Sequence, residues 1–227
     1  RKLGSLEVTK TVNWNGVAAD PNQSFTICIA GPSYTNGDCK SVGANGGVLT
    51  WTDLIPGAYS VAENNPGRVW ETVITGEPAA VPVDGGQVSA AVINTRLQPA
   101  SITVTKMLTS SDETAGWAFV MRLTGADPRT VTDNAPSTTW IDLEPNRSYV
   151  LSEDEPGRPW VEGQFECTID GVAVGERRGE EDIQLALAPA DHAICAKYNG
   201  LVSSGTDLDP VGEPAATFRI YLPAVRH

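Results

Sequence analysis

Cys28, Cys39, Cys167 and Cys195 are the residues of this chain with the plainest capacity for chemistry, and they fall two in each half of its 227 residues. An even count, with one partner for each cysteine in its own half, fits two disulfides formed in an oxidising compartment; the alternative is four reduced, buried thiols. No C-x-x-C occurs, and His192 and His227 are the only histidines, so the pattern does not suit zinc. Neither histidine lies in a nucleophile motif, and neither G-x-S-x-G nor H-E-x-x-H is present. The T-D-L-D run at 206–209 lacks the spacing of a calcium loop, and no glycine-rich phosphate cradle occurs. The residues therefore predict no enzyme, no metal and no cofactor. Trp51, Trp70, Trp140 and Trp160 read either as core and edge packing or, with Tyr34, as platforms for sugar.

These residues sit in words that the chain says twice. E-N-N-P-G-R-V-W begins at Glu63 and E-D-E-P-G-R-P-W at Glu153. L-E-V-T-K ends at Lys10 and I-T-V-T-K at Lys106; L-T-W-T-D-L starts at Leu49 and T-T-W-I-D-L at Thr138. A repeat of roughly one hundred residues is the size of a domain rather than of a solenoid unit. The boundary is expected near Gln98-Pro99-Ala100, giving one module over 1–98 and a second over 99–200. Residues 201–214, rich in Ser, Gly, Asp and Pro, read as a linker, and 215–227 as a tail with one further strand.

The elements that position the repeated words are short and alternating. Runs at 6–10, 25–29, 59–63, 69–74 and 88–94 have the period of strands, as do 102–106, 117–123, 149–153, 165–169, 183–187 and 193–198. Asn15-Gly16, Asn36-Gly37, Pro56-Gly57 and Asp170-Gly171 supply turns between them. About seven strands per copy and no sustained helical period predict an all-β chain: two tandem immunoglobulin-like antiparallel β-sandwiches plus an extra C-terminal strand. The net charge of -12 disfavours nucleic acid as a partner. No apolar run is long enough to insert in a membrane. Arg1 in place of an initiator Met is read as a processed or truncated chain.

G-S-L-E-V-T-K-T-V at the start, W-T-D-L-I-P-G-A-Y-S-V-A-E in the middle and V-I-N-T at the close resemble a Cna B-type repeat, the prealbumin-like module of bacterial surface adhesins and pilins. The resemblance covers nearly all of the first copy and two thirds of the second. It implies that Lys10 on the first strand bonds covalently to Asn94 on the last, assisted by Glu63. Such chemistry needs a lysine made neutral by burial and a carboxyl kept protonated to polarise a poor electrophile. The bland alternative is a solvated Lys10, a surface Glu63 and a turn Asn94.

The second copy has Lys106 and Glu153, but aligning A-I-C-A-K-Y with A-V-I-N-T-R puts Ala196 opposite Asn94. Asn199 then has the wrong strand parity, so no internal isopeptide is expected there. Cys195 would staple the last strand to Cys167 instead. Lys106 is left to pair with Glu153 or to link to another subunit. The resemblance further implies a secreted or cell-surface structural subunit of a fibre, stalk or filament, whose partners are copies of itself or other surface proteins. The alternative is an adhesin or carbohydrate-binding module of a larger surface protein. Thr217, Phe218, Arg219, Ile220, Tyr221 and Leu222 form the strand expected either to be donated to the next molecule or to fold back. L-P-A-V-R at Leu222 is not the L-P-x-T-G sorting signal.

Overall fold

The computed structural model describes residues 1–109, 116–157, 159–178 and 181–201. Residues 4–96 form eight strands: β1 (Gly4–Asn13), β2 (Ser24–Gly31), β3 (Tyr34–Gly43), β4 (Gly47–Leu54), β5 (Gly57–Glu63), β6 (Trp70–Thr75), β7 (Ala79–Val81) and β8 (Gln87–Arg96). They make two four-stranded sheets, ordered β4-β1-β8-β6 and β3-β2-β5-β7. Residues 100–201 form ten more: β9 (Ala100–Leu108), β10 (Ala118–Leu123), β11 (Arg129–Thr132), β12 (Ser137–Leu143), β13 (Arg147–Glu153), β14 (Trp160–Ile169), β15 (Val172–Val174), β16 (Glu176–Arg178), β17 (Asp182–Leu187) and β18 (His192–Leu201). Their sheets run β12-β9-β18-β14-β15 and β11-β10-β13-β17-β16. The all-β, two-sandwich architecture agrees with the sequence. The expected strand at 217–222 lies outside the described residues.

Two features depart from expectation. There are more strands than seven per copy, because edge strands such as β3 are mostly exposed and leave no clear apolar alternation to read. The sheets are also not wholly antiparallel: β1 pairs β8 in parallel, and β9 pairs β18 in parallel. First and last strands of each sandwich thus run side by side in one sheet.

The repeated W-x-D-L word is a bulge. Trp51 and Leu54 both point into the core although three residues apart, which strict alternation forbids. The register slips there, and Asp53 takes φ 58° to absorb the extra residue; Asp142 does the same at φ 58° between Trp140 and Leu143. Aspartate tolerates this left-handed conformation better than most residues. Each sandwich closes on its own apolar core, the first around Leu6, Ile27, Trp51 and Tyr59, the second around Ile102, Met121, Trp140 and Tyr149. Trp51 and Trp140 are therefore packing residues, and their indole N–H groups donate to Asp38 (2.6 Å) and to the Asp127 carbonyl (3.0 Å).

Both cysteine pairs are disulfides. Cys28–Cys39 joins cross-strand neighbours of β2 and β3, and Cys167–Cys195 joins neighbours of β14 and β18.

Candidate functional site

Alternation along β1 places Leu6, Val8 and Lys10 on the inward face, so Lys10 is buried with 2% of its surface exposed. Along β8 the same argument buries Ala90, Val92 and Asn94. The parallel register sets Val92 against Lys10 and Asn94 against Val12, which places the amide two residues beyond the lysine on the same face. Glu63 arrives from β5 in the facing sheet, following Tyr59 and Val61 inward. Lys10 Nζ and Glu63 Oε1 are 2.8 Å apart, and both side chains are almost fully buried. The directions of these two groups do not satisfy hydrogen-bond geometry, so the contact is electrostatic. Glu63 Oε2 accepts from Thr72 Oγ1 at 3.0 Å. Among the described residues neither side-chain atom of Asn94 has a hydrogen-bond partner, a costly state for a buried amide.

An aromatic wall covers this group. The Phe25 ring lies 4.6 Å from Lys10 Nζ, Trp70 packs edge-on against Phe25, and Trp14 against Trp70. Burial pushes the Lys10 amine below its ordinary pKa, and the neighbouring Glu63 only partly opposes this.

The second sandwich builds the same group. Lys106 continues the inward row of Ile102 and Val104 on β9, and Glu153 ends the inward row of β13. Lys106 Nζ donates to Glu153 Oε1 at 2.6 Å. Phe119 lies 4.3 Å from Lys106 Nζ and is backed by Trp160. Burial lowers the Lys106 pKa to about 8 against the pull of Glu153, and Lys197 contributes in the same direction as burial.

The amide of this second group is Asn199, contrary to the expectation that it faces away. It is 1% exposed; its Nδ2 donates to Glu153 Oε2 at 2.9 Å and its Oδ1 accepts from the Gly163 N–H at 3.2 Å. On β18 the inward residues are Ala193, Cys195, Lys197 and Asn199, so Ala196 is out of phase. The parallel register sets Lys197 against Lys106 and Asn199 against Leu108, the same two-residue offset as in the first sandwich. The alignment through Ala196 slipped by three residues because Lys197 stands where the first copy has the apolar Val92. The signal that finds Asn199 is phase: counted in twos from the core cysteine Cys195, Lys197 and Asn199 both turn inward.

The remaining aromatics do not form one exposed platform. Trp70 is 8% exposed, Trp160 is half-buried on Phe119, and Tyr34 is half-buried against the first core. A cleft of about 380 Å³ beside the second group is lined by Glu153, Glu155, Trp160, Glu162 and Glu181, among others. Among the described residues no group of His, Cys, Asp and Glu is arranged to hold a metal ion, and no helix is long and apolar enough to cross a membrane.

The chain is similar to the major pilin of Streptococcus pyogenes, at 16% identity and a TM-score of 0.45, over 88% of this chain and 99% of that one. It is similar to the major pilin protein T-13 of the same species, at 14% identity and a TM-score of 0.48, over 86% and 97% of the two chains. A C-terminal fragment of the pilus adhesin SpaC from Lactobacillus rhamnosus GG aligns at 13% identity and a TM-score of 0.41, over 89% and 98%. No family model matches the chain, and no curated protein matches it in sequence. None of these likenesses assigns a role to a residue of this chain.

Proposed function

We propose that this chain is a structural subunit of an extracellular surface fibre, built from two modules, 1–98 and 99–200, each closed by a lysine–asparagine isopeptide bond. One observation carries the reading. In both sandwiches the first and last strands are parallel neighbours, with a buried lysine and a buried asparagine at the same offset and a carboxylate from the facing sheet against the lysine; in the second that carboxylate also meets the asparagine.

The reaction is an aminolysis. Lys106 gives its proton to Glu153, and the neutral amine attacks Asn199 Cγ. Glu153 returns a proton to the departing Nδ2, which it already faces at 2.9 Å. The Cγ–Nδ2 bond breaks and the Nζ–Cγ bond forms; of the two protons left on Nζ one stays on the new amide and the other leaves with ammonia as ammonium, so Glu153 ends as the carboxylate it began as. Lys10, Glu63 and Asn94 take the same roles in the first module. Strand pairing holds amine and amide together, which removes the entropic cost of encounter. Burial favours the uncharged amine by lowering the lysine pKa. The cleft beside Glu153 gives ammonia a way out of the second module. Each site reacts once, so the chemistry is maturation rather than turnover.

The mechanical consequence supports the fibre reading. Tension applied through the ends of a module enters at its first and last strands, and a covalent tie between them lets the load bypass the core. Surface location and self-association belong to the same reading, as does donation of the strand containing Phe218, Ile220 and Leu222 to a neighbouring copy. Assemblies that persist after deletion of 215–227 would exclude that donation.

The deciding experiment is intact mass of the purified chain. Two cross-links place the mass about 34 Da below that of the sequence, with about 4 Da more for two disulfides. A deficit of about 4 Da alone rejects the isopeptide reading.

A further inference from the structure

The second sandwich differs from the first by a second buried lysine. Lys197 is fully buried, stands directly across from Lys106 in the parallel ladder, and occupies the register position held by Val92 in the first module. Its Nζ donates to Glu162 Oε1 at 2.7 Å and to the carbonyls of Gly163 (2.8 Å) and Glu181 (3.3 Å), and lies 4.4 Å from the Phe165 ring. Glu162 sits across from Asn199, as Thr72 sits across from Asn94. An apolar and hydroxyl pair has thus been exchanged for an ammonium and a carboxylate. A buried ion pair adds little stability over apolar packing, so stability does not account for the exchange.

The surrounding geometry does. β14 is bulged between Glu162 and Phe165, and the bulge presents both backbone groups of Gly163. The N–H points at Asn199 Oδ1, where negative charge develops when an amine adds to the amide. The carbonyl is tied to Lys197 Nζ. A side chain at Gly163 would place its Cβ 2.4 Å from the Tyr198 carbonyl oxygen, so only glycine allows this approach.

Resting on the cross-link reading above, we infer that Lys197 is a positioning residue for the Lys106–Asn199 reaction: its ammonium anchors the Gly163 bulge that polarises the amide, and its charge, directly across the ladder, opposes a second positive charge on Lys106. Two ammonium groups side by side in one core repel, and they differ in the acceptors around them. Lys197 has a carboxylate and two carbonyls. Among the described residues Lys106 donates to Glu153 alone, which it shares with Asn199. The charged groups acting on Lys106 are Glu153 from β13, Lys197 from β18 and Glu162 from β14; burial and Lys197 lower its pKa, while the two carboxylates raise it.

The test uses the full chain carrying Asn94→Ala, so that only the second cross-link reports. The protein is made by cell-free translation in the cold under oxidising conditions, then warmed at a series of pH values while intact mass follows the loss of ammonia. Lys197→Gln is expected to slow the loss roughly tenfold at neutral pH, the effect of about one pKa unit, and to move the midpoint of the rate–pH profile upward. Lys197→Arg is expected to keep the midpoint of the unsubstituted site. Should Lys197→Gln fail to fold, Lys197→Met with Glu162→Gln leaves no unpaired charge, and its ammonia loss is also expected to be slow. A rate–pH profile superimposable on that of the parent, in whichever of these charge-removed variants folds, overturns the role of Lys197 and leaves the cross-link reading standing. A parent that loses no ammonia overturns both.

Discussion

Asn94 and Asn199 are register equivalents. Each lies on the last strand of its sandwich, buried, against the residue two positions beyond the lysine of the first strand. Their surroundings differ. Asn199 is fully engaged by Glu153 and the Gly163 N–H, whereas neither side-chain atom of Asn94 has a hydrogen-bond partner among the described residues. The two modules thus present one lysine–carboxylate–asparagine arrangement in two states of support.

Separability follows from the two distinct carboxylates. Glu63→Gln is expected to restore about 17 Da to peptides joining Lys10 and Asn94 while leaving the second module cross-linked, and Glu153→Gln the reverse. Each substitution also leaves a lysine buried without its counter-charge, which costs about 3–5 kcal/mol. On the cross-link reading, loss of a tie spanning nearly a whole module removes a further ~4–5 kcal/mol of chain-entropy stabilisation. Peptide mass mapping and thermal unfolding of the two variants check both effects.

Much of this was legible before the fold. The recurring V-T-K, P-G-R-x-W and W-x-D-L words located the modules, the lysines and the acids, because each marks a strand phase or a bulge. Asn94 was legible because V-I-N-T keeps apolar alternation up to the amide. Asn199 was not, because Lys197 in an inward position looks like the end of a buried strand. Only the strand phase fixed by Cys195 shows that both residues face the core. The parallel pairing of β1 with β8 was equally hidden, since neither strand's pattern records its neighbour's direction.

The two disulfides are expected to differ in reducibility under native conditions. Cys39 is exposed and Cys28 only half-buried on the edge pair β2–β3, whereas Cys167 and Cys195 are 4% and 1% exposed within the second core. Exchange requires a thiolate to reach a sulfur atom, so access sets the order. A mild reductant followed by alkylation is expected to label Cys28 and Cys39 first. Equal labelling of all four cysteines while the sandwich stays folded counts against this placement.

The aromatic walls are expected to govern both folding and reaction. Phe25 and Phe119 each cover a lysine amine, and each is backed by a tryptophan. Phe119→Leu keeps most of the apolar volume but removes the ring face, and should leave the second cross-link intact though slower to form. Phe119→Ala opens a cavity costing about 3–5 kcal/mol and admits water to Lys106. Its amine then moves back toward the ordinary range, and time-resolved intact mass should show the larger delay in the alanine variant.

In a chain that cannot form the second cross-link, Lys106 should make stability depend on pH. With Asn199→Ala, Lys106 stays free to titrate, and the parent environment sets the sign. Its folded pKa of about 8 lies below the ordinary 10.5, so between those values the unfolded chain binds more protons than the folded one. Stability therefore rises with pH through that window and is flat below it, where both states are protonated. The control is Asn199→Ala with Lys106→Met, which lacks the titrating amine. Denaturant midpoints of the two variants should diverge as pH rises from about 8 toward 10.5, with the lysine-bearing chain gaining. Parallel curves across that range would show that the buried amine is not held below its ordinary pKa.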